Sequence, residues 1–230
     1  MTTAASPVPA ASPQHKRTPY FPAKLLGFVA LLSVALWFVW NYPMRYVMHY
    51  NEAAFTDPNV GAANYWRERA WLLAHFAGGM LALLVGPWQF WTGFRARYAR
   101  LHRWMGRLFL AGVVMGSIGA ARLIATTTVG WAFGTSIASL AVAWIATSGI
   151  AYYAIRRGKI DVHKRWMIRA YVVTFGFVTY RAFFDYGPVS HLQPAGDRAI
   201  TLGWGCWAIP LLLTITVQQL LSLRAQPSSR

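Results

Sequence analysis

Residues 70–124 read AWLLAHFAGGMLALLVGPWQFWTGF, then RARYARLHR, then WMGRLFLAGVVMGSIGAARLI. Two apolar runs flank a short turn crowded with arginine. A bilayer core about 30 Å thick needs about 20 mostly apolar residues to cross it as a helix. Each run meets that length. The pattern therefore predicts a membrane hairpin whose turn lies at a lipid headgroup surface. Working outward, the same kind of run recurs at 25–42, 131–155, 166–186 and 200–221. Isolated strands cannot span lipid, because unpaired backbone groups there cost several kcal/mol each. The expected fold is all-α: a polytopic membrane helical bundle of six transmembrane helices, with spans two to five as a four-helix core. The six-span membrane domain is expected over 23–222.

Composition agrees. The chain is 56% hydrophobic and only 12% charged, against about 25% charged in soluble domains. That excludes a disordered chain and an ordinary soluble enzyme. The net charge is +16. On a soluble chain this would point to nucleic acid. Here the basic residues sit between apolar runs. Arg95, Arg97, Arg100, Arg103 and Arg107 share one turn; Arg156, Arg157, Lys159, Lys164, Arg165 and Arg169 share another. The positive-inside rule places both turns, and both termini, in the cytoplasm. No nucleic-acid partner is needed to explain the charge. The bilayer, including its anionic lipids, is the expected partner. Residues 1–22, rich in Ala, Ser, Pro and Thr, are expected as a disordered cytoplasmic tail, followed by an uncleaved first span. Residues 223–230 form a second short cytoplasmic tail. The lone Cys206 excludes an internal disulfide.

The two basic turns resemble each other. One continues as Leu101-His102-Arg103-Trp104-Met105-Gly106-Arg107. The other continues as Val162-His163-Lys164-Arg165-Trp166-Met167-Ile168-Arg169. Each gives a His and then Trp-Met-x-Arg opening the next span. Spans two-three and four-five thus read as two copies of one hairpin, related about an axis along the membrane normal. In such a bundle spans three and five are diagonal. With neighbours 8–10 Å apart, the diagonal is roughly 14 Å. His102 and His163 at that separation suit the two axial positions of a b-type haem. Arg103, Arg107, Arg165 and Arg169 would then neutralise its propionates. The alternative is that both histidines are interfacial polar residues beside aromatic and basic anchors.

A second polar group falls near the outer side. His75, Arg122, Arg181 and Asp185 lie inside apolar spans, where ionisable groups are costly and face the bundle interior. Arg181 and Asp185, four apart, share a helix face. These four residues form a candidate outer pocket for a quinone or a small anion, or else a structural network. Pro87, in Gly86-Pro87-Trp88-Gln89, removes a helix hydrogen bond. Gln89 or a neighbouring helix must satisfy the carbonyl thus freed. Pro210 bends span six in the same way. Gly78-Gly79 and Gly112-x-x-x-Gly116 allow close helix packing. Nucleotide-binding loops, zinc-protease and serine-hydrolase motifs are all absent.

His75-x-x-x-Gly79, Gly86-Pro87-Trp88-Gln89-Phe90, Leu101-His102-Arg103-Trp104-x-Gly106-Arg107 and His163-Lys164-Arg165-Trp166-Met167-Ile168-Arg169 together resemble an uncharacterised family of bacterial multi-pass membrane proteins, over residues 70–186. The resemblance implies topology and an inner-membrane setting, and no activity. The layout is also similar to four-helix membrane cytochromes b, an analogy of architecture. It departs from their two-haem pattern because span four has no His. The expected function is a b-type haem-binding electron-transfer protein acting with a quinone or another redox partner. A small-solute transporter or channel and a non-catalytic scaffold are the alternatives.

Overall fold

A computed structural model describes residues 21–57, 63–91, 97–188, 190 and 195–224. Eight helices appear among them. They are α1 (Phe21–Asn41), α2 (Pro43–Met48), α3 (Arg69–Phe90), α4 (Ala99–Ala125), α5 (Trp131–Arg156), α6 (Ile160–Thr174), α7 (Gly176–Asp185) and α8 (Ala195–Arg224). Between α2 and α3 a two-residue antiparallel ladder, β1 (Thr56–Asp57) and β2 (Ala63–Asn64), pairs Thr56 with Asn64. Phe21 and Pro22 begin α1, and Leu223 and Arg224 end α8. The rest of both expected tails lies outside the described residues, as does Arg95.

Five helical segments are long and apolar enough to cross a membrane: Lys24–Met48, Arg69–Phe90, Ala99–Ala125, Trp131–Arg156 and Gly196–Arg224. Their outward faces are bare apolar surface; Leu212 is 63% exposed and Leu213 61%. Only a hydrocarbon solvent makes such a surface favourable. Exposed Trp40, Trp131 and Tyr186 near one end, and Trp104 and Tyr153 near the other, match the aromatic belts of a spanning bundle.

The fifth expected span, 166–186, is not one helix. It is divided at Phe175 into α6 and α7. Three local features weaken the helix there. The Thr174 hydroxyl turns back to the Ala170 carbonyl (2.9 Å), and the Thr179 hydroxyl to that of Phe175 (3.1 Å). Such back-bonding bends helices. The third is Gly176, where an added Cβ would stand 3.2 Å from Trp207 Cβ on α8.

The core closes as the ring expected of two hairpins. α3 packs on α4, α4 on α5, α5 on α6, and α6 returns to α3. Glycines bring the first hairpin together. A Cβ on Gly78 would meet Gly112 O at 2.5 Å, and one on Gly119 would meet Trp71 O at 2.6 Å. In the second hairpin, buried Trp144 donates its indole N–H to Thr174 Oγ1 (2.8 Å). Gly158, at φ +71°, makes the inner turn of that hairpin. Phe109, Val113, Leu140, Trp144, Ala170 and Tyr171 fill the centre. α1 lays Ala35, Phe38 and Val39 against Leu83 and Val178, and α8 covers α5, α6 and α7.

Pro87 joins the hairpins. Its missing N–H leaves Leu83 O without the usual helical donor. The Tyr171 hydroxyl, from α6, donates to that carbonyl at 2.9 Å. Gly86 makes the approach possible, because a Cβ there would collide with the Tyr171 ring. The donor is therefore Tyr171, and not the neighbouring Gln89.

Candidate functional site

One end of the bundle, the one expected to face inward and called the inner end, carries the histidine and arginine box of each hairpin. In both copies the arginine folds over its own tryptophan. Arg107 lies 4.9 Å from the Trp104 ring centre and Arg169 lies 4.4 Å from that of Trp166. The equivalence supports the internal repeat, and the contacts are ordinary cation–π pairs. Arg169 also donates through Nε to Gln218 Oε1 (2.8 Å), while Gln218 Nε2 donates to Arg165 O (3.2 Å), tying α6 to α8. Arg103, Arg107 and Arg165 are exposed. His163 and His102 are half-buried. His163 donates Nδ1–H to Ala151 O on α5 (2.9 Å). A carbonyl only accepts, so the neutral ring keeps its lone pair at Nε2. One and two turns further in, Met167, Phe90 and Phe109 pack with Tyr171 and close the interior. Among the described residues no group of three or more His, Cys, Asp or Glu is placed to hold a metal ion.

The outer end is hollow. A cavity of about 210 Å³ lies between all eight helices, α6 contributing only its last residue, Thr174. Apolar groups dominate its walls, among them Phe38, Phe76, Met80, Leu140 and Phe177. The polar members of the lining are His75, Arg45, Arg181, Thr127, Thr174 and four tyrosines, Tyr42 among them. A void of about 150 Å³ holds benzene, so this one holds a single substituted ring. Gly79 lines it, and a Cβ added there would meet nothing within 4 Å.

His75 reaches the cavity from α3. Its Nδ1 lies 2.9 Å from Gly116 O on α4, and its ring stands edge-on to Phe177 at 5.3 Å. The Gly116 backbone is close enough because α3 and α4 cross on glycines. Arg181 lines the same cavity, with Cζ 5.7 Å from the Tyr42 ring centre. Asp185 lies one turn further along α7. Its carboxylate accepts from the Tyr42 hydroxyl at 2.7 Å, holding the end of α1 against α7.

Arg122 is placed apart from the other three expected pocket residues. Its guanidinium grips Glu68 through two bonds, Nε to Oε2 (2.9 Å) and Nη2 to Oε1 (2.8 Å), at the exposed ends of α3 and α4. The hydrogen bond from Arg122 holds the Glu68 carboxyl below the usual carboxylate range. Glu68 precedes α3 and lies outside the apolar runs, so a search for ionisable groups inside spans passes over it. The chain has 6 acidic residues against 22 basic ones, and that scarcity is the signal marking an acid near a span end as a partner. Tyr42 and Phe177 resemble ordinary aromatics in sequence; only the folded arrangement marks them as cavity walls.

No match was found among curated proteins or solved structures. Residues 72–217, which run from the start of α3 into α8, match a family known only as a predicted membrane protein (DUF2306). The all-helical spanning bundle agrees with that description, and the chain belongs to this family.

Proposed function

We propose that this protein is a multi-pass inner-membrane protein that takes a lipid-soluble, quinone-type ring from the bilayer into its outer cavity and serves membrane electron transfer. The observation that carries the reading is the cavity itself: apolar walls, room for one substituted ring, and His75 and Arg181 among its few polar groups. Ligand pockets have this composition, with a small number of polar groups fixing orientation. Counting α6 and α7 together as one crossing gives six passes and puts both termini on the side of the basic turns. Those turns then face the cytoplasm and its anionic lipids.

The test uses full-length protein in nanodiscs titrated with a short-chain benzoquinone, read by tryptophan fluorescence. Saturable quenching is expected. Gly79→Leu, which fills the cavity without touching backbone, abolishes it. Quenching that is non-saturable, or unchanged in Gly79→Leu, overturns the reading.

A second reading, a b-type haem held by His102 and His163, is favoured by one observation. His163 spends Nδ1–H on Ala151 O and keeps Nε2 for a ligand bond, the arrangement of metal-bound histidines. A macrocycle there must displace the packed Phe90, Phe109 and Met167. A reduced-minus-oxidised spectrum lacking Soret and α bands after haem supplementation removes this reading.

A further inference from the structure

We infer that the outer cavity selects molecules bearing a free ring hydroxyl, so that of a quinone couple it holds the reduced, quinol form. The inference rests on the quinone-type reading of that cavity and specifies the atom that recognises the ligand. His75 has two ring nitrogens. Nδ1 faces Gly116 O at 2.9 Å, and a carbonyl oxygen can only accept. The neutral ring therefore carries its proton on Nδ1 and a bare lone pair on Nε2. Among the described residues no side chain or backbone group donates to Nε2. What His75 offers the cavity is thus an acceptor. A quinone carbonyl is also an acceptor and gains nothing from it; a hydroxyl donates to it.

The surroundings hold the imidazole in that pose. Phe177 stands edge-on at 5.3 Å and Phe76 lies against it at 6.0 Å between ring centres. Gly116 cannot retreat, because its helix is locked to α3 at Gly78 and Gly112. The Thr174 hydroxyl, on the same lining, is already engaged: it donates to Ala170 O and accepts from Trp144 Nε1. The arginines of the lining, Arg45 and Arg181, are donors only, and carbonyl and hydroxyl oxygens both accept from a donor. The acceptor at Nε2 is therefore the feature that sorts ligands of equal shape.

The experiment compares two probes of one skeleton in nanodiscs under anaerobic conditions, trimethylhydroquinone and its dimethyl ether. The hydroquinone is expected to bind about tenfold more tightly, the effect of one hydrogen bond to an otherwise unpaired acceptor. In His75→Phe the two are expected to bind alike. Equal binding of both probes to the wild-type protein overturns the hydroxyl selection and leaves the quinone-type cavity standing. Binding of neither probe, with Gly79→Leu indistinguishable from wild type, overturns the cavity reading and this inference with it. The wild-type ratio decides the matter even where His75→Phe fails to fold.

Discussion

The inner and outer ends of this bundle are built from the same two hairpins and differ in what lies between them. At the inner end Phe90, Phe109, Met167 and Tyr171 pack into one core, and Arg107 and Arg169 lie on tryptophans. At the outer end a void of about 210 Å³ remains between the helices. The difference follows from where small residues fall and what faces them. Gly78 is filled by the backbone of α4, whereas its neighbour Gly79 faces empty space. A side chain's absence closes one part of the interface and opens another one residue away.

That pair of glycines gives the sharpest way to break the comparison. Gly78→Ala drives a methyl into the Gly116 backbone and is expected to lose about 1–3 kcal/mol or more. Gly79→Ala is expected to leave the thermal midpoint in detergent unchanged. Equal loss in both variants would mean that the cavity side of α3 is as tightly filled as its α4 side. A smaller effect is expected at the joint between hairpins. Tyr171→Phe leaves Leu83 O without its donor, at a cost of about 1–3 kcal/mol. Pro87→Ala restores a backbone N–H to that carbonyl, so the double variant Pro87→Ala/Tyr171→Phe is expected to recover most of the loss. Simple additivity in thermal unfolding would rule out the substitution of a hydroxyl for the missing N–H.

The smallest effect belongs to the outer rim. Glu68 has its carboxyl held below its ordinary 4.5 by the bond from Arg122. Its contribution to stability is therefore complete above pH 4.5 and disappears as pH falls through the depressed value. The pair is exposed, so the change is expected to be slight and weakened by salt. Glu68→Gln flattens this part of the stability-against-pH curve; an unaltered curve would show that the two-bond grip contributes nothing.

Much of the fold was legible in the sequence because lipid imposes a simple requirement. Apolar runs of sufficient length become α1, α3, α4, α5 and α8, and the repeated Trp-Met-x-Arg reappears as matching Trp–Arg stacks. The division at Phe175 was not legible, since 166–186 reads as one mostly apolar run and the weakening depends on Thr174, Thr179 and a glycine pressed against α8. That a neighbouring helix completes Leu83 O is readable from Pro87; which residue does so is not, since Tyr171 is 88 residues away and looks like any other aromatic of its span. The polar outer group was only partly readable. Depth along a span puts His75, Arg122 and Arg181 at similar heights, but direction around the helix axis sends Arg122 to Glu68. The cavity walls come largely from aromatics that sequence gives no reason to single out.

The Tyr171–Leu83 bond also bears on how the chain is assembled during synthesis. The first hairpin enters the membrane with a carbonyl at Leu83 that its own helix cannot satisfy, and the hydroxyl that completes it belongs to a segment made later. Lipid offers no substitute donor. The first hairpin is thus left incomplete until the second arrives, which ties the halves into one unit.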